Sequence, residues 1–508
     1  MPSGPSEHAL VGIDAGTSGI RAVLIDAEAQ PLATVERPMP WAKGGAGPVT
    51  LDPDLLWQET CAALQSLARP GIVGIAAASF GESAVLIDRA GEPVAPAIAW
   101  FDRCTEGEMD GLVARHRAEA LYAASGLPPD PTYQLPKLLW MRAHAPGFSR
   151  AVRVLNVADW IALRLCGEAA TDFSLASRTL ALDLARGGWN DALLEAEGLA
   201  HLPAPLLPSG TRIGTVSPRA AAESGLPPGA AVGVGAHDHI AGALAAGTIA
   251  PGILLDSLGT AEALLRTLPQ PIADPAALAG GFAQGAIRVA PGDSLNYALG
   301  AIPVSGGAVE WLRSATGSTA HATLIAEGSA VPAGSDGVVF VPHLAAAAAP
   351  EPDSAARGAL LGLTPQTSRG VLYRAVLEGL AHQSRLIIDA MERLPGVTRA
   401  HEIRLIGGGV RNPLFLDIKA DVIGRELAVM GEVQSAALGA ALLAGIAAGV
   451  WPDIKTASSR TSQPAFHRVP GANVPLYAAR HAALASLHRS LSRIYRLPTP
   501  AHSSSTPT

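Results

Sequence analysis

The sequence predicts a two-domain mixed α/β protein whose halves face a shared ligand. Three observations carry this expectation. The chain has 508 residues, more than the roughly 250–300 that one hydrophobic core usually supports. Strand-like and helix-like segments alternate along it, as they do in mixed α/β domains. Each half also contains a glycine–threonine turn between apolar runs. The first is Asp14-Ala15-Gly16-Thr17-Ser18-Gly19, and the second is Asp256-Ser257-Leu258-Gly259-Thr260.

In order along the chain, residues 10–13 and 20–26 read as a hairpin, and residues 31–38 add a third antiparallel strand. Residues 52–67 open with aspartate and proline and then show helical spacing at Leu55, Leu56, Cys61 and Leu64, which predicts a capped helix. Residues 72–78 and 84–88 read as strands, and residues 134–143 and 157–165 as helices. The Pro- and Gly-rich stretch 206–228 gives way to an apolar strand at 231–234. Near residues 240–250 the pattern restarts with the second turn, which sets expected domains at 1–245 and 246–496. Residues 368–393 read as a long amphipathic helix, and residues 402–406 as a strand ending in three glycines. Residues 497–508 are Ser-, Thr- and Pro-rich and read as a disordered tail.

Composition narrows the class. Hydrophobic residues make up 48% of the chain, but no unbroken apolar run reaches the ~20 residues needed to span a bilayer. Residues 1–8 hold no basic segment followed by an apolar stretch, so no secretory signal is expected. The 3 cysteines, Cys61, Cys104 and Cys166, have neither disulfide-framework nor metal-ligand spacing and are expected to pack. A net charge of −7 leaves no basic footprint for nucleic acid. A cytoplasmic protein is the expectation.

Glycine tolerates a tight turn and has no Cβ to hold a ligand away, so both turns can present N–H groups and a threonine hydroxyl as an anion-binding nest. Four further segments join them. Gly233 to His239 places Asp238 just past a strand, between His237 and His239. Gly306-Gly307-Ala308-Val309-Glu310 starts a helix with two small residues. Gly407-Gly408-Gly409-Val410-Arg411-Asn412 joins a strand to a helix, and Glu432 precedes an alanine-rich helix containing Gly439. In this order, from about residue 9 to about residue 450, the set resembles the FGGY family of carbohydrate kinases. The resemblance implies two ribonuclease-H-like domains of the actin-like ATPase type, with the active site in the cleft between them.

It also implies roles. Asp14 would help hold Mg²⁺, and Gly16, Thr17, Ser18 and Arg21 would hold phosphate, as would Gly259 and Thr260. Such oxygen ligands and anion donors are what phosphoryl transfer needs. Gly306 and Glu310 would approach the nucleotide, and Gly408 with Asn412 would hold adenine or ribose. Asp238 would be the catalytic base, bind the acceptor and face the metal. Its flanking histidines depart from the family pattern, where small or amide residues are usual. A zinc site at His237-Asp238-His239 lacks a third strong ligand at metal-site spacing. Glu432 reads as a helix cap.

On the acceptor side, Glu82 stands where glycerol kinases carry the second member of an Arg-Glu pair, but Gly81 replaces the arginine. The Met-His-Gly motif of xylulokinases is missing too. Trp100 matches a position that stacks on the acceptor's carbon chain, while Asp102 and Thr132, with Tyr133, are candidate pocket residues. Gly81 is expected to leave open the volume of an arginine side chain, so a ketose or alditol of four to six carbons is favoured over glycerol. The implied partners are ATP with Mg²⁺ and a small sugar or polyol. No nucleic acid or membrane is expected, and the oligomeric state stays open, with a homodimer among the options. The alternatives are a nucleotide-dependent switch or a sugar sensor on the same fold without phosphotransfer. Asp14, Glu82, Trp100 and Asp238 together argue for an enzyme.

Overall fold

The computed structural model describes residues 8–497, apart from 44, 46 and 432–434. The Glu432 cap and almost all of the tail lie outside the described residues. Two seven-stranded sheets organise the rest, and their central strands share one arrangement. In the first, the order is Arg212–Thr215, Ala231–Gly233, Ile72–Ser79, Ala9–Ala15, Gly19–Asp26 and Pro31–Pro38, with Ala236–His237 also pairing to Ile72–Ser79. In the second, the order is Phe466–Arg468, Leu427–Val429, Glu402–Ile406, Ile253–Leu258, Glu262–Leu268, Asn296–Ile302 and Ala283–Ala286. Each has a parallel centre, formed where a strand returns after a helical crossover, with an antiparallel run on one side and a single antiparallel edge strand on the other.

The parallel centres place the candidate residues. Ala9–Ala15 and Ile72–Ser79 run parallel with Ala15 opposite Ser79, and Ala236–His237 runs parallel beside them with His237 opposite Ser79. The chain therefore leaves three neighbouring strands at the same edge. It enters the Gly16–Gly19 turn from one, Phe80-Gly81-Glu82 from the next and Asp238 from the third. Carboxyl ends of parallel strands are where open α/β sheets bind ligands. The second sheet repeats this, with Ile253–Leu258 leading to Gly259 and Glu402–Ile406 leading to Gly407–Gly409.

Most predicted elements match in place and type. The 52–67 segment is a helix at Pro53–Gln65, capped by Asp52, whose carboxylate accepts from the Asp54 and Leu55 N–H groups. The long helix is Arg369–Glu392, capped by the Ser368 hydroxyl. The 206–228 stretch is more ordered than its composition suggests. It forms strand Arg212–Thr215 and helix Pro218–Ser224, the latter started by a Ser217 cap and ended at left-handed Gly225.

One packing relation crosses the chain's midpoint. Helix Ser435–Ala447, from the second half, lies on the first sheet and against helix Asp238–Ala245. Its Ala437, Leu438, Ala441 and Leu442 share an apolar cluster with Leu10, Val23 and Ile25. The approach is so close that a Cβ at Gly12 would run into the Ala437 carbonyl, and one at Gly439 into the Ala241 carbonyl. Alanine and glycine on this helix are therefore the condition for the contact.

Candidate active site

Both glycine–threonine turns line a single cavity of about 950 Å³. Asp14, Gly16, Thr17, Ser18 and Arg21 come to it from the first sheet, and Gly259, Thr260 and Glu262 from the second. Glu82, Trp100, Arg178, Asp238 and the two flanking histidines complete one end.

The first turn is closed by the Gly16 N–H donating to the Gly19 carbonyl at 3.0 Å. Its outer side is held by two tryptophans. Trp41 donates its indole N–H to the Thr17 carbonyl at 2.8 Å, and Trp100 donates to Thr17 Oγ1 at 2.9 Å. A hydroxyl that accepts from an indole keeps its own hydrogen to donate, so Trp100 orients Thr17 as a donor toward the cavity. The carbonyl of Trp100 is in turn held by Lys137 Nζ at 2.8 Å, and burial lowers that ammonium's pKa to about 8.

Asp14 sits at the turn's base with Arg21 Nη1 at 4.0 Å, and its Oδ1 is buried with no hydrogen-bond partner. Burial, with the nearby Asp238 charge, pushes its carboxyl up to about 7. Asp238 opens helix Asp238–Ala245 and accepts the His239 N–H at 2.6 Å. Burial likewise raises it to about 7, with Glu82 adding to the push. An orphaned carboxylate oxygen beside a second carboxylate is a donor set that fits a hard divalent cation. His237 and His239 stack at 5.3 Å, and burial holds both below the usual imidazole range, His239 at about 4. Among the described residues no group of three or more His, Cys, Asp or Glu has metal-site geometry.

The second turn rests on a buried charge cluster that gave no sequence signal. Lys419 Nζ lies 2.6 Å from Asp256 Oδ2, 2.7 Å from Glu262 Oε1 and 3.0 Å from Ser384 Oγ. All three side chains that bear charge are fully buried. Ser305 donates to Glu262 Oε2 at 2.9 Å, which ties the start of helix Gly306–Ala315 to the same carboxylate. Burial and the Glu262 charge push Asp256 up, and Lys419 pulls it down.

Six expected ligand residues, Asp102, Thr132, Gly306, Glu310, Gly408 and Asn412, do not line the cavity, nor does Tyr133. Asp102 spends its carboxylate on the N–H groups of Val49 and Cys104, at 2.8 and 2.9 Å, and so shapes its own loop. Thr132 bonds Asp130, at 2.9 Å through N–H and 2.6 Å through hydroxyl. Glu310 forks with Arg313 on an exposed helix face. Asn412 caps helix Pro413–Ile423 by accepting the Phe415 N–H at 3.2 Å, and donates to the Tyr373 hydroxyl at 2.9 Å. Gly408 lies in the short turn Gly408–Arg411, which packs against Ile253–Leu258 just before the second phosphate turn. Gly306 is likewise off the wall but next to it, its N–H donating to the Gly259 carbonyl at 3.1 Å.

The acceptor end holds one outright correction. The volume expected to be open beside Gly81 is filled: Arg178 passes through it, with its Cβ and Cγ at 2.7 and 2.8 Å from where a Gly81 Cβ would stand. Nothing local to Ser177-Arg178-Thr179 announces this. The only clue in the sequence is a glycine where an arginine side chain was wanted, beside a retained glutamate.

Comparison with known proteins agrees with this architecture. Residues 9–245 match the N-terminal domain of the FGGY family of carbohydrate kinases, and residues 254–448 match its C-terminal domain. The chain is 34% identical over 458 residues to a glycerol kinase of Gloeobacter violaceus, covering 88% of this chain and 89% of the relative. Its structure superposes on a xylulose kinase from Rhodospirillum rubrum with TM-score 0.85 and 27% identity, covering 96% of this chain and all of the other. The glycerol kinase of Plasmodium falciparum solved with ADP shares the fold, with TM-score 0.85 at 20% identity, covering 97% of this chain and 99% of that one. No helix among the described residues is long and apolar enough to cross a membrane. With both family domains matched in order on two sheets whose central strands share one arrangement, the chain belongs to the FGGY family of carbohydrate kinases and is an ATP-dependent enzyme of that class.

Proposed function

We infer that the protein phosphorylates a hydroxyl of a small ketose or alditol of four to six carbons, with Asp238 as the general base. The acceptor oxygen attacks the γ-phosphorus, its proton passes to Asp238, and the bond from that phosphorus to the β-bridging oxygen breaks to release ADP. Gly16, Thr17, Gly259 and Thr260 would hold the phosphates from opposite sides of the cleft. Asp14 and Asp238 would hold Mg²⁺, which supplies charge neutralisation at the phosphates. Closure of the cleft keeps water from competing for the γ-phosphate.

The observation that carries this reading is Asp238 itself. It stands in the cavity that both turns line, with its carboxyl raised to about 7 by burial. A base with pKa near the working pH is suited to accept a proton at the moment of attack. The named relatives are kinases of glycerol and of xylulose, and this chain lacks the acceptor-site sequence motifs of both. Asp238→Asn keeps the shape and removes the base. Turnover should fall by roughly 10²–10⁴-fold, measured as ADP release over a panel of ketoses, alditols and glycerol, while ATP binding by calorimetry persists. Near-normal turnover in that variant would remove Asp238 from the mechanism.

A further inference from the structure

A carboxylate that takes no part in the chemistry stands behind Asp238. Asp172 is fully buried, at the end of the short strand Thr171–Asp172 that runs parallel to Leu206–Leu207. It meets donors only. Its Oδ1 accepts the Leu175 N–H at 2.8 Å, and its Oδ2 accepts the Ser174 N–H at 2.9 Å, the Ser174 hydroxyl at 2.7 Å and the Ser209 hydroxyl at 2.8 Å. The two N–H groups cap the short helix Phe173–Ala176, and a cap needs no more than these. The hydroxyls go beyond that. Ser174, also fully buried, gives its one hydrogen to Asp172, so its lone pairs are left to accept, and they take the His237 N–H at 2.8 Å. That N–H belongs to the residue directly before Asp238. Strand Ala236–His237 is held to Ile72–Ser79 by only 2 residues in register, and the chain turns into helix Asp238–Ala245 at its end. Ser174 supplies the further tie that so short a ladder needs.

We propose that Ser174, aimed by Asp172, is a positioning residue for the general base: it fixes the His237 peptide and with it the direction from which the Asp238 carboxylate enters the cavity. This rests on the kinase reading above and deepens it. Asp172 also refers the base to the second sheet. Ser209, whose hydroxyl it holds, donates its N–H to the Arg288 carbonyl at 2.8 Å, and Ser177, just past the capped helix, accepts the Ala286 N–H at 3.0 Å. The Arg288 guanidinium lies over the Phe173 ring at 5.8 Å. Strand Ala283–Ala286 is the edge of the sheet that carries the second phosphate turn. The acid that takes the proton and the sheet that grips the phosphates are thus located from one buried anion. A misplacement of about 1 Å between reacting groups costs on the order of a hundredfold in rate.

Only a carboxylate fits at position 172. An amide of the same shape turns one oxygen into a donor, which would face either the Leu175 N–H or the three donors gathered on Oδ2. In the second arrangement the Ser174 hydroxyl accepts from the amide, and its own hydrogen is left without Asp172 to receive it.

The test uses the full-length enzyme with Mg-ATP and the best acceptor of the panel above. It reads kcat, both KM values and the stoichiometry of ATP binding by calorimetry, which counts folded sites. Ser174→Ala suits a helix and removes the acceptor. Its kcat should fall about tenfold to a hundredfold, with both KM values within about threefold and full ATP stoichiometry. Ser174→Cys keeps the volume with a weaker acceptor and should fall between. Asp172→Asn should lose at least as much as Ser174→Ala, and the two combined should lose no more than Asp172→Asn alone, because they interrupt one path. In an Asp238→Asn background, Ser174→Ala should change the residual turnover by less than about twofold, since the group it positions no longer accepts a proton. A general loss of structure would lower both backgrounds equally. A Ser174→Ala kcat within about twofold of wild type, a loss of ATP sites that matches the loss of kcat, or an equal loss in both backgrounds would each overturn the assignment and leave the kinase reading standing. If the wild type releases ADP with none of the acceptors, or Asp238→Asn turns over normally, the reading itself fails and the assignment falls with it.

Discussion

Replacing Lys419 by methionine isolates what the buried charge cluster does for the second phosphate turn. Methionine matches the length of the stem but removes the ammonium. Three oxygens lose their cation at once: Asp256 Oδ2 at 2.6 Å, Glu262 Oε1 at 2.7 Å and Ser384 Oγ at 3.0 Å. Breaking a fully buried pair by removing one partner costs about 3–5 kcal/mol, because the other charge is left uncompensated. Here two carboxylates are left. Asp256 is already pushed upward by burial and by Glu262, so it takes up a proton and keeps the loss in that range rather than doubling it. For a body of this size each kcal/mol lowers Tm by about 2–4 °C, which predicts a drop of roughly 6–20 °C by calorimetry. Glu262 follows the second turn by two residues and is bound to Ser305, so ATP affinity should fall together with stability. Asp256→Asn serves as the counterpart, because it removes one of two competing anions from Lys419 and should cost much less. A Lys419→Met protein within about 1 kcal/mol of wild type in urea denaturation, with unchanged ATP affinity, would show that the cluster is not what supports the turn.

Three further outcomes follow from the geometry. Gly259→Val puts a branched side chain at an exposed turn position whose Cβ would already stand 3.0 Å from the Ala261 carbonyl; ATP Kd should rise at least about tenfold, and an unchanged Kd would place the triphosphate elsewhere. Trp100→Phe keeps an aromatic face but loses the N–H donated to Thr17 Oγ1; a neutral hydrogen bond is worth about 0.5–1.5 kcal/mol, so nucleotide affinity should weaken up to about tenfold, and a change confined to acceptor KM would refute the link. Burial raises Asp159 to about 7 although it accepts from the Asn156 N–H at 2.9 Å. Between its unfolded value near 4 and about 7 the folded chain binds the extra proton, so this group's contribution to stability falls as pH rises through that window. The stability of Asp159→Asn relative to wild type should therefore grow between pH 5 and 7, by at most about 1.4 kcal/mol per pH unit. A constant difference across that range in urea titrations would exclude the shift.

The parts of the fold legible in the sequence are those specified locally. A hairpin is announced by glycines between apolar runs, and a capped helix by Asp52-Pro53 or Ser368. The same local signals marked the strand end that carries Asp238, because the acid directly follows the last paired residue. What was not legible depends on contacts distant in sequence. Arg178 meets Glu82 across 96 positions and Lys419 meets Glu262 across 157, and neither meeting has a periodicity or turn residue to betray it. Asn412 and Asp102 show the converse. Each has a side chain suited to a ligand, but a nearby backbone N–H competes for it, and the short polar side chains that bind ligands are also those that cap helices and loops.

Helix Ser435–Ala447 has a consequence for how the molecule comes into being. The first sheet is complete in sequence once strand Ala236–His237 has been made, yet the apolar face bearing Leu10, Val23 and Ile25 is covered by a helix that appears roughly 200 residues later. At about 5–20 residues per second, a ribosome leaves that face bare for on the order of 10–40 s. During synthesis the nascent amino-terminal half is therefore a client for chaperones, with a greasy surface waiting for its lid. A gene split between the two family-matched segments would make that exposure permanent, so the amino-terminal piece should be recovered in soluble form only when the carboxyl-terminal piece is expressed beside it.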